Sequence, residues 1–183
     1  MIVLVKNTSA SRWANNRTTL ITLLRVAFGL VWLLNGLMKV FWLGPDDIID
    51  MVQQASQGQP AWLQPWFSFW TSIISSNAAF TLNGIRVWEL ILAFTLLIGF
   101  MRKLSYLSGI FLSLIIWTVA EGFGGPYGPG STDVGAAILY PFVFLALLVL
   151  ETIAGSNRYT LDKLVERHIR GWSKIASVSY LDK

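Results

Sequence analysis

The 183-residue sequence contains no cysteine and a single histidine, His168, and only 13% of its residues are charged. Without cysteine, disulfides, iron–sulfur clusters and thiol nucleophiles are excluded within this chain. One histidine rules out bis-histidine haem ligation and most histidine-rich metal sites, so no haem or metal is expected to be bound by this chain. So little charge leaves too little polar surface to cover a soluble domain of this size. Instead, 54% of the residues are hydrophobic and nine are tryptophan. This composition specifies an integral membrane protein.

A spanning helix needs about 20 predominantly apolar residues. Four segments meet this requirement, at about 20–43, 82–100, 104–120 and 134–150. The expected fold is therefore all-α, a bundle of four transmembrane helices over residues 1–156 followed by a basic tail at 157–183. Lys6, Arg12 and Arg17 precede the first span, Arg102 and Lys103 separate the second and third, and six Lys/Arg follow the fourth. Residues 44–81 and 121–133 carry none. Basic residues collect on the cytoplasmic side, so both termini are expected there, in the plasma membrane. The opening MIVLV is too short for a cleavable signal and lacks a basic region before it.

The outer segment is more than a connector. Asp46 and Asp47 after Gly44–Pro45 favour a short helix, and PAWLQPWFSFW suits an interfacial aromatic layer. In the tail, Leu161, Leu164, Val165, His168, Ile169 and Trp172 recur at helical spacing among Arg158, Lys163, Arg167, Arg170 and Lys174. This pattern predicts an amphipathic helix on the lipid bilayer, with His168 packed on its apolar stripe and no role in nucleic-acid binding.

Charges inside spans are expensive and mark interior faces. Arg25, Gly29, Trp32, Gly36 and Lys39 share one stripe of the first span, which is expected to pack against other helices. Arg25 is expected to snorkel inward, and Lys39 stands at the outer end, within reach of other groups. Arg86 and Glu89, three residues apart, share a face and can pair. Glu89 is either neutralised by Arg86 or Lys39, or takes up protons.

The loop EGFGGPYGPGSTD at 121–133 adds five glycines between two acids. Gly124 and Gly125 can form a nest of backbone N–H groups for an anion. Ser131 or Thr132 can cap the fourth span, with Asp133 in its first turn. Together with Lys39, Arg86 and two helix N-termini, these residues form a candidate anion site. The alternative is a tight turn whose acids pair with Lys39 and Arg86. For a flat apolar ligand, Trp88, Trp117 and Tyr140 are candidate lining residues, with Glu89, Glu121 or Asp133 handling protons. Tyr140 falls on about the same helix face as Asp133, and Pro141 is expected to bend that helix.

LRVAFGLVWLLNGLMKV, WELILAFTLLIGFMRKLS and EGFGGPYGPGSTDVGAAILYPFVFLALL together resemble the DoxX-like superfamily, and within it the DoxD-type small subunit of thiosulfate:quinone oxidoreductase. The resemblance spans residues 19–156, with Arg25, Gly36, Lys39, Glu89, Gly99, Arg102 and Asp133 as its signposts. It implies a four-helix subunit working with a second subunit of DoxA type. The pair would oxidise thiosulfate to tetrathionate and reduce membrane quinone, caldariellaquinone in thermoacidophilic archaea. Family members also occur beside terminal quinol oxidases, so an accessory respiratory subunit is a second reading. A small anion transporter is a third, because Arg25–Val26 with Gly36 echoes Arg86–Val87 with Gly99.

Overall fold

A computed structural model describes residues 8–127, 133–154, 159–169 and 171–176. Among these residues every element is helical. Helix α1 runs over Thr8–Trp42, α2 over Pro45–Ser56, α3 over Gln64–Ser76 and α4 over Ala78–Ile98. Helix α5, Arg102–Ile115, continues as a wider π turn through Ile116–Ala120. Helix α6 covers Leu139–Ala154, and two short helices close the tail, α7 at Leu161–Glu166 and α8 at Ser173–Ala176.

Three stretches are long and apolar enough to cross a membrane: Asn16–Trp42, Ala78–Ile98 and Arg102–Ala120. Helix α6 is equally apolar but shorter, over Leu139–Ile153. Its start differs from the expected 134 for a legible reason. Pro141 is its third residue, where a missing N–H breaks no intrahelical bond, so the proline opens the helix and is not a bend within it. Residues 134–138 form turns leading into it.

The expected stripe on α1 is the face that packs. Trp32 and Arg25 are fully buried, and the two glycines admit α4 closely. A Cβ at Gly29 would lie 3.1 Å from Leu96 Cβ, and one at Gly36 would lie 3.0 Å from Leu90 Cδ2. Small residues at such seams permit the dispersion contacts that hold helices together in lipid, where apolar burial gives no drive. Between α5 and α6 the same device is more extreme. Gly109 makes room for the buried ring of Phe144, which a Cβ there would meet at 2.1 Å.

Two apolar clusters result. The larger joins α1, α4, α5 and α6 around Phe28, Trp32, Leu96, Tyr106 and Phe144. The smaller lies where α2 and α3 cover one end of α4 and α5, around Val52, Phe67, Leu82 and Val119. Helix α2 begins as its sequence suggests, with Pro45 in the first position, Asp46 and Asp47 in the first turn, and Asp47 accepting from the Gly44 N–H. Its Ile48 and Val52, four residues apart, supply the buried face. In the aromatic segment, Trp62 is exposed, whereas Trp66 is partly buried and donates to the Thr118 carbonyl at 3.2 Å.

Candidate functional site

Helices α1 and α4 run antiparallel, and each carries an arginine that closes the end of the other. Arg25 donates to the carbonyls of Leu96 and Leu97 at the C-terminus of α4, and to Tyr159 O at 3.0 Å. Arg86 donates to Lys39 O at 3.0 Å and to Leu43 O, at and just past the C-terminus of α1, and to Asn83 Oδ1 at 2.8 Å. Helix ends leave carbonyls without intrahelical partners, and a guanidinium fork satisfies them. The Arg–Val echo between the two spans is thus reflected in reciprocal capping. Arg25 does not snorkel. It is buried under the tail, and Gly99 (φ +68°) gives it room, since a Cβ there would stand 2.7 Å from its Nη1.

Because Arg86 is held at the end of α1, it does not pair with Glu89. The partner is Lys39, whose Nζ stands 2.9 Å from Glu89 Oε1. Helical side chains lean towards the N-terminus, and Arg86 already lies N-terminal to Glu89, so its reach is away from the acid. Glu89 is fully buried, whereas the Lys39 side chain is 27% exposed. Apart from this ion pair, neither Glu89 oxygen has a hydrogen-bond donor among the described residues, and Trp32 Nε1 has no acceptor among them. Gly36 faces Glu89, and Trp32 is one turn along the same stripe, about 6 Å in axial rise. The α1–α4 seam therefore holds a cation and a carboxylate with an oxygen that meets no donor among the described residues. Unsatisfied buried polar groups are rare, and Arg25 Nε and Trp70 Nε1 share this condition.

Over residues 121–127 the glycine loop folds as a tight turn. The N–H groups of Gly124 and Gly125 donate to Glu121 O at 2.8 Å and Gly122 O at 3.0 Å, so they do not form the expected open nest. Gln59 Nε2 fastens the loop to α2, donating to Gly122 O at 2.8 Å and Ala55 O at 3.1 Å. The loop acids pair with neither Lys39 nor Arg86. Glu121 Oε2 accepts from Ala137 N–H at 2.9 Å, just ahead of α6, and so complements the positive start of that helix. Asp133 lies outside the first turn of α6 and accepts from Gly135 N–H at 2.7 Å. It shares no helix face with Tyr140. Ser131 and Thr132 lie outside the described residues.

Trp88, Trp117 and Tyr140 do not meet. Trp88 Nε1 donates to Ser108 Oγ at 2.7 Å, and Trp117 Nε1 donates to Val134 O at 2.8 Å. Tyr140 packs between Phe28 and Trp32, with ring centroids 5.7 and 5.6 Å away, so it joins α6 to α1. Among the described residues, no three His, Asp or Glu side chains gather as a metal-ligand set.

A second charged cluster, at the opposite end of the bundle, was not anticipated as a unit. Arg102 donates through Nη1 to Glu151 Oε2 at 2.9 Å and through Nε to Asp162 Oδ2 at 3.0 Å. Tyr106 Oη donates to Glu151 Oε1 at 2.8 Å, and Trp172 Nε1 to Asp162 Oδ1 at 3.0 Å. Asp162 also accepts the N–H groups of Met101 at 2.7 Å and Arg102 at 3.1 Å, capping α5 from a distant segment. Arg102, Tyr106, Glu151 and Asp162 are all buried. The expected single amphipathic helix over the tail is consequently broken. Asp162 turns inward, α7 ends at Glu166, and His168 is exposed, not packed. The sequence signal was an acid on each side of the tail junction, Glu151 at the end of a greasy run and Asp162 amid the apolar stripe.

No protein-family model, no curated protein and no solved structure matches this chain.

Proposed function

We propose that the chain is the membrane subunit of a quinone-linked respiratory complex of the thiosulfate:quinone oxidoreductase type, with four spans and both termini in the cytoplasm. The observation that carries this reading is Glu89, fully buried between apolar spans with an oxygen that meets no donor among the described residues. Joining two thiosulfates into tetrathionate releases two electrons and no protons, whereas reducing a quinone takes up two electrons and two protons. A quinone in lipid therefore needs a protonatable group at membrane depth. Glu89 meets that need, with Lys39 Nζ 2.9 Å from its Oε1 and partly exposed beside it. Tyr140 and Trp32 pack together, with ring centroids 5.6 Å apart, and the sequence resemblance over residues 19–156 points to the same chemistry. The DoxA-type partner and the membrane quinone complete the proposed reaction.

The orientation follows from the basic residues flanking the spans. Helix α6 can serve as the fourth span with the turns at 134–138 completing its length. A second reading is an accessory subunit of a terminal quinol oxidase, in which Arg86 serves the fold by closing α1.

The test is thiosulfate-dependent reduction of a quinone by detergent-purified protein, after recording which polypeptides and haems co-purify. Reduction in a haem-free preparation supports the oxidoreductase subunit. No reduction, with a haem-bearing oxidase in the same peak, selects the accessory role.

A further inference from the structure

A groove of about 800 Å³ runs along the outside of α4 at the Arg102 end, within the size range of small-molecule sites. Phe94 and Ile98, one turn apart on α4, form one wall, and Leu161 and Leu164 of the tail form the other. Lys163 and Arg167, also one turn apart, stand on the tail side. No acidic side chain is among the lining residues, and Asp162, one of the two acids of α7, is turned inward to Arg102.

We infer that this groove binds an anionic phospholipid, with an acyl chain against Phe94 and Ile98 and the phosphate at Lys163 and Arg167. Three observations favour a lipid over other occupants. Phe94 is 62% exposed on a helix long and apolar enough to cross a membrane, so one end of the groove opens where acyl chains lie. Ile98 ends α4, and two cations of the tail line the same groove, so an acyl chain and a headgroup each find a matching surface. The tail wall is held in place by Asp162 and Trp172, so the lipid meets a preformed surface. Lys/Arg side chains at a membrane surface favour anionic over zwitterionic headgroups. The inference rests on α4 spanning the membrane and is independent of any reaction at Glu89.

The experiment uses the full-length protein delipidated in detergent, titrated with phosphatidylglycerol or phosphatidylcholine. Binding is followed by native mass spectrometry and by the unfolding temperature. Wild type is expected to retain phosphatidylglycerol in preference to phosphatidylcholine and to unfold at a higher temperature with it. R167Q should weaken phosphatidylglycerol binding about fivefold and K163Q/R167Q about thirtyfold, with phosphatidylcholine binding unchanged. Because Arg167 is exposed, R167Q reads the site even where the double variant folds poorly. Equal retention of the two lipids, or phosphatidylglycerol binding untouched by R167Q, would overturn the inference. Inorganic phosphate displacing the lipid at equal concentration would overturn it too, since the acyl chain would then contribute nothing.

Discussion

The two ends of the bundle each bury a carboxylate in an ion pair, yet they treat its atoms differently. At the Arg102 end, both oxygens of Glu151 and both of Asp162 have donors, supplied by Arg102, Tyr106, Trp172 and two backbone N–H groups. At the Lys39 end, Glu89 has one ammonium beside it and otherwise no donor among the described residues. Buried polar networks rigidify when every member is satisfied, and a partly satisfied one is costly to keep. The Arg102 cluster ties the tail to α5 and α6, whereas the Lys39–Glu89 pair is the one to which the proposed function assigns chemistry.

The largest effect on stability is expected from Arg102→Gln. It removes one cation from two buried carboxylates, and breaking a buried pair in this way costs about 3–5 kcal/mol. A matching fall in thermal stability in detergent, with faster proteolysis of the tail, is the expected result. Retained stability would make the two ends alike. Gly109→Ala is expected to cost about 1–3 kcal/mol, because its Cβ would enter the space of the buried Phe144 ring. The same assay checks it, and a Phe144→Leu second change should recover part of the loss.

Arg86→Gln is expected to be milder, about 1 kcal/mol, since it weakens the closure of α1 at a partly exposed position and leaves Lys39–Glu89 standing. Donor KM should not change, which distinguishes capping from anion binding. Asp133→Asn should be smallest, within about 0.5 kcal/mol, because the residue is exposed and the amide oxygen still accepts from Gly135.

The parts legible from the sequence are those governed by periodicity. The Arg25–Lys39 stripe, the opening of α2 and the apolar helices follow from spacing and local turn chemistry. Partner choice among charges was less legible. Glu89 had two candidate cations, and the local one lost because Arg86 leans towards its own N-terminus and finds α1 carbonyls there. The loop glycines suggested an open nest, but the carbonyls within reach of Gly124 and Gly125 take their N–H groups. Asp162 was hidden by its 60-residue separation from Arg102 and by its position in an apparently amphipathic stripe. No local pattern announces a cap supplied from that distance. Trp32 was placed on the packed face, although its unused N–H emerges only once its surroundings are known.

The most direct test of the contrast between the ends is Glu89→Gln, measured for thiosulfate-dependent quinone reduction and for unfolding temperature on the same preparation. The amide keeps the shape, and the partly exposed Lys39 can turn to water or headgroups once its carboxylate is gone. The account predicts a loss of activity of about 100-fold or more, with stability within about 1 kcal/mol of wild type. Full activity combined with a stability loss as large as that of Arg102→Gln would contradict it and make Glu89 a second fastening.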